Sequence, residues 1–215
     1  KSPFMPAKSS MANELQLQNE NLQLKEAVEK LSAELKNKNY ELEIEAALEK
    51  VRASSLAMHS SSELGTVVTE LLKSLHQLGF ITENGAAAHI LIFSKDSKNF
   101  VQWSADPFLD RPVETLIPYA DIFMLSDLFD AKKSGKEFYT RDYTFGQKNE
   151  FFNYAFEHTG MSALPDQLKQ LLLETKTYTN WTAFENISAI TVNSITGYRL
   201  SEVQINIVKR FAKVF

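Results

Sequence analysis

Residues 11–50, MANELQLQNENLQLKEAVEKLSAELKNKNYELEIEAALEK, decide the architecture. The stretch contains neither Gly nor Pro, and Leu, Glu, Lys, Gln and Ala dominate it, which is the composition of a long helix. At 1.5 Å per residue such a helix reaches about 60 Å. It holds in water only if one face is buried. The pattern supplies that face. Leu17, Leu24 and Leu31 recur every seven residues, and Val28, Leu35 and Leu42 form a second series offset by three or four. With the first series at heptad position d, Asn21, Val28, Leu35 and Leu42 fall at a, an arrangement that favours two parallel strands. The expected state is therefore a homodimer through a parallel coiled coil, with Leu17, Asn21, Leu24, Val28, Leu31, Leu35 and Leu42 at the interface. The alternative is one amphipathic helix packed on its own domain, with Asn21 left at the surface. At residues 37–40 the register breaks, and Ile44, Leu48, Val51, Ser55 and Met58 resume in another phase, which predicts local unwinding or overwinding of the supercoil.

Before this helix, residues 1–10 carry two prolines and no periodicity, and read as a flexible lead-in or a cloning remnant. After it, Leu64, Val67, Val68, Leu71, Leu72, Leu75 and Leu78 mark an amphipathic helix stopped by Gly79. The period then shortens. Residues 86–94, 99–104 and 113–118 read as a three-strand meander, 122–133 as a helix ended by Gly135, and 137–143 as a short strand. Residues 145–158 form a helix, with Thr144 and Gln147 at capping-box spacing and Gly160 as its stop. A short helix opens at Pro165, a hairpin pairs 176–184 with 187–194, and a last helix starts at Ser201 with Gln204 at the same capping spacing. That final apolar helix reaches the end of the chain without a stop signal, so the sequence reads as an excised piece of a longer protein. The expected division is 1–10 lead-in, 11–58 coiled-coil helix and 59–215 globular domain.

Composition removes several function classes. The formal charge of −4 leaves no basic field to attract nucleic acid or anionic lipid. With no cysteine there is no thiolate metal site, thiol nucleophile or thioether-held pigment. No apolar run is long enough to span a bilayer, so no membrane insertion by this stretch is expected. Asn180-Trp181-Thr182 and Asn186-Ile187-Ser188 match the glycosylation sequon but fall in expected strands, and read as chance matches.

The order helix, meander, connecting helices, hairpin and terminal helix is α+β. It resembles a GAF domain. The likeness is closest at residues 42–78, LEIEAALEKVRASSLAMH and the helix that follows, which look like the segment leading into GAF-like domains of bacterial sensor histidine kinases and related signalling proteins. Residues 187–215, a strand, a turn and then Ser-Glu-Val-Gln opening an apolar helix, are similar to the usual GAF ending, while 109–176 match poorly. The resemblance implies an antiparallel sheet flanked by helices. It also implies a cytoplasmic dimeric module of a two-component type that relays a signal along helices to a downstream output domain in the full-length chain. It does not imply a ligand. Residues 147–151, QKNEF, lack the spacing of the cyclic-nucleotide signature, and bilin carriers need a cysteine.

Catalytic chemistry has little support in the chain. His59 lies on the expected helix, but Ser60 follows it where a phosphoacceptor box places an acidic residue, so it reads as a helix-end histidine. His76, His89 and His158 show no metal-ligand spacing, and no Gly-x-Ser-x-Gly elbow or phosphate-binding glycine loop is present. No cofactor, metal or catalytic residue is expected. The unusual feature is aromatic density between Trp103 and Phe184. Most of these rings are core. A subset could line a pocket for an unidentified small ligand: Trp103, Tyr119, Phe123, Phe138, Tyr143, Phe152 and Trp181, with Asp127 and Arg141 as polar anchors. The expected function is a sensory or regulatory module, and the alternative is a structural dimerisation spacer without a ligand of its own.

Overall fold

The computed structural model describes residues 8–58, 60, 63–80, 86–105 and 112–214. The expectations for residues 1–7 and for His59 lie outside them. The chain divides into two compact units between Glu45 and Ala46. The first is occupied by the leading part of helix α1 (Lys8–Leu56), which runs without interruption for 49 residues. The register change at 37–40 therefore leaves the helix unbroken. The two apolar series differ in burial instead. Leu17, Leu24, Val28, Leu31, Leu35 and Leu42 are between 59% and 66% exposed, whereas Ala47, Leu48 and Val51 are buried. The buried Ala47, Leu48 and Val51 thus belong to the second unit, which begins at Ala46.

The second unit is α+β. Helix α2 (Leu64–Gln77) precedes strands β1 (Ala86–Phe93), β2 (Phe100–Ala105) and β3 (Val113–Ile117). Helix α3 (Phe123–Lys133), strand β4 (Phe138–Tyr143), helix α4 (Phe145–His158), a 3-10 turn (Gly160–Ala163) and helix α5 (Asp166–Glu174) follow. The hairpin β5 (Tyr178–Phe184) and β6 (Ser188–Ser194) and helix α6 (Glu202–Ala212) complete it. Local signals set the ends. Gly79 and Gly135 take positive φ just past α2 and α3, a conformation that costs glycine nothing. Thr144 with Gln147 and Ser201 with Gln204 form reciprocal capping boxes that satisfy orphan N–H groups at the starts of α4 and α6.

The six strands form one antiparallel sheet in the order β3-β2-β1-β6-β5-β4. The meander β1-β2-β3 is thus joined through β1 and β6 to a second antiparallel trio, β6-β5-β4, with His89 opposite Thr191 at the centre of the seam. Helices cover both faces. On one, α2 lies on β1 and β2 and α6 on β5 and β6. The approach is close: a Cβ on Gly65 would stand 3.0 Å from the Trp103 ring. On the other, α3, α4 and the end of α5 bury an aromatic layer against Leu91, Phe93, Phe100, Ile117, Tyr143, Tyr178 and Phe184.

Candidate functional site

Side chains on a strand alternate between faces, so the register determines which groups meet. On the α3–α5 face the sheet contributes more than aromatics. Ser104 stands opposite His89, His89 opposite Thr191, and Thr191 opposite Thr182, placing four polar side chains in one row across β2, β1, β6 and β5. The row is hydrogen-bonded in pairs. His89 Nδ1 is 2.8 Å from Ser104 Oγ, which also accepts from Gln102 Nε2 at 3.1 Å. The hydroxyls of Thr182 and Thr191 meet at 2.9 Å. Although His89 keeps some exposed surface, desolvation lowers its pKa to about 4, so the imidazole is neutral near pH 7.

One step along the strands lies a second row. Asn193 of β6 pairs with Ala87 on one side and with Asn180 of β5 on the other, and Asn180 in turn pairs with Arg141 of β4. The Oδ1 atoms of Asn180 and Asn193 are buried with no hydrogen-bond partner among the described residues. Tyr178 lies beyond them. Burial raises its phenol pKa, the neighbouring Tyr143 adds to the rise, and a hydrogen bond with Asn193 opposes it.

At the β4 edge Asp127 of α3 collects donors. It accepts from the Tyr139 hydroxyl, more weakly from Tyr143 at 3.5 Å, and pairs with Arg141 Nε at 3.5 Å. The two phenols bond each other at 2.8 Å. Burial, followed by Tyr143 and Asp127, drives the Tyr139 pKa upward, so its proton stays in place to donate. The Arg141 guanidinium also lies over the Phe123 ring at 5.3 Å, and Phe123 meets Tyr143 edge-on at 6.3 Å.

Six of the nine residues expected to line a pocket belong to this face. Phe123, Asp127, Arg141 and Tyr143 form the edge cluster, and Phe152 packs perpendicular to Tyr178 at 5.4 Å. Tyr119 sits apart, against Phe129 at 5.5 Å and under Lys98. Trp103, Phe138 and Trp181 lie on the opposite face: Trp103 against Gly65 of α2, Phe138 under Lys209 of α6, and Trp181 next in the chain to the inward-facing Thr182. Alternation is the reason, since Phe138 and Arg141 are three apart on one strand and cannot share a face. The residues that sequence reasoning missed are the polar ones: His89, Ser104, Thr182, Thr191, Asn180, Asn193 and Tyr139.

The chemistry available is hydrogen bonding. The contact of Ser104 with His89 has the components of a nucleophile and base, but an imidazole with a pKa of about 4 is a weak base. No carboxylate orients that ring, and no group of three or more potential metal-ligating side chains occurs among the described residues. No helix among them is long and apolar enough to cross a membrane. No protein-family model, curated protein or solved structure matches the chain.

Proposed function

We propose that this chain is a sensory or regulatory module, GAF-like in character, from a cytoplasmic bacterial signal-transduction protein of the histidine-kinase-linked type. It is not an enzyme; it dimerises through the leading part of α1 and passes a signal along helices to an output domain elsewhere in the full-length protein. One observation carries this reading. A stripe of six apolar residues from Leu17 to Leu42 stays about 60% exposed on a helix 49 residues long. A helix of that length needs a covered face, and heptad spacing with Asn21 at an a position suits a second copy in parallel. Two such helices with alternative packings are the element that a relay requires.

The second reading is a dimerisation spacer with no ligand, and the aromatic layer under α3 and α4 favours it, since those rings pack on one another at 5.3 to 6.3 Å. The polar rows on the same face favour the sensor. A spacer gains nothing from buried amide oxygens left without partners, and each carries a desolvation cost.

Sedimentation equilibrium of the chain beside Leu24→Lys/Leu31→Lys tests the proposal. The wild type is expected to be a dimer and the variant a monomer whose second unit melts as before. A wild type that stays monomeric at high concentration removes the mechanism.

A further inference from the structure

Asn180 and Asn193 are cross-strand neighbours on the α3–α5 face, each with a buried Oδ1 lacking a partner among the described residues. Directly opposed residues in an antiparallel pair hold their Cβ atoms about 4.5–5.5 Å apart, so one small planar group can reach both carbonyls. Both missing partners are donors. The aromatic walls nearby are Tyr178, Tyr143 and Phe152, which suit an apolar body. The surrounding charged groups already hold partners of their own. Arg141, opposite Asn180, is held by Asp127, and Asp127 also takes the Tyr139 hydroxyl. The Lys148 ammonium donates to the carbonyls of Leu172 and Leu173, and that of Lys132 to those of Glu185 and Asn186. An anion would face two carbonyl oxygens that repel it, and a cation would find no unpaired carboxylate beside them among the described residues, so burying either charge there is costly.

We propose that Asn180 and Asn193 seat an uncharged small molecule that presents a primary carboxamide, or an equivalent neutral N–H pair, on an apolar or aromatic body. The two N–H groups donate to the two Asn carbonyls, and the body lies against Tyr178 and Tyr143. This rests on the sensor reading and names the class of molecule sensed.

Three isosteres of different charge test it by thermal shift: benzamide, benzoate and benzamidine. Benzamide at millimolar concentration is expected to raise the Tm of the wild type by a few degrees, with no rise from the two charged analogues. Asn180→Leu/Asn193→Leu, which removes the lone carbonyls at similar volume, is expected to melt at or above the wild type and to ignore benzamide. The single variant Asn193→Leu should show half of each effect. The assignment is overturned if benzamide is silent, if either charged analogue stabilises as well, or if both Leu variants melt clearly below the wild type, since the amides would then already be partnered. Sedimentation separates the two proposals. Silence from benzamide in a chain that dimerises retires the ligand class and leaves the relay; a monomer that binds benzamide does the reverse.

Discussion

The two parts of the chain use the same residues to opposite ends. In the first unit Leu24, Leu31 and Leu35 are each 63% exposed, while in the second Leu48, Val51, Leu71 and Leu75 are at most 3% exposed. Both sets recur at helical spacing. Spacing alone therefore states that a face is to be buried and leaves open what buries it. The second unit supplies its own partner, a six-strand sheet with helices on both faces. Among the described residues the first supplies none for the stripe from Leu17 to Leu42, and heptad spacing is what distinguishes a helix awaiting a second helix from one that packs on a sheet.

The sharpest way to break this contrast is to place the same charge in each part. Val51→Asp buries a carboxylate at a fully buried site, and should destabilise the second unit by about 4 kcal/mol or more in urea unfolding. Leu24→Asp should leave that transition unchanged within about 0.5 kcal/mol while abolishing association. If Val51→Asp were as mild as Leu24→Asp, the end of α1 would not belong to the second unit's core.

Acid should separate the parts next. The folded pKa of His89 is near 4, below its ordinary 6.5. Between those values the unfolded chain binds a proton that the folded chain does not, so stability falls as pH drops through this window. At pH 4.5 the loss relative to pH 7 should be about 2–3 kcal/mol greater for wild type than for His89→Gln, read from urea midpoints. Equal slopes would mean that the imidazole is not held neutral by burial. Smaller again is Gly65→Val, whose added atoms meet Trp103 at 3.0 Å; about 2 kcal/mol is expected, measured by the same unfolding. Unchanged stability would show that the α2–sheet contact yields.

What was legible in the sequence follows the range of the forces involved. Helix ends were readable because capping boxes and glycine stops act within four residues, as at Thr144 with Gln147 and at Gly135. The hairpin and the meander were readable for the same reason. The β1–β6 seam was not, because it pairs residues about a hundred positions apart, and no local signal encodes such a partner. The candidate site suffered in two ways. Grouping Phe138 with Arg141 overlooked an alternation that was in plain view. The polar row could not have been assembled at all, since His89, Ser104, Thr182 and Thr191 read singly as stray polar residues and become a row only once four strands are in register.

The smallest expected effect tests whether that row is a unit. Thr182 is fully buried and Thr191 is 5% exposed, and their hydroxyls meet at 2.9 Å. Changing either to Val should cost about 1–2 kcal/mol, because the remaining hydroxyl is left dry and unpaired. The double variant loses donor and acceptor together and keeps two β-branched side chains of nearly the same shape, so it should sit within about 0.5 kcal/mol of wild type. The coupling in such a cycle then exceeds about 1 kcal/mol. Strictly additive losses would mean that each hydroxyl has a further partner and that the row is part of a wider polar network. That outcome would move the anchor of the site from the row of Asn180 and Asn193 to His89 and Ser104, which share their row with Thr191 and Thr182.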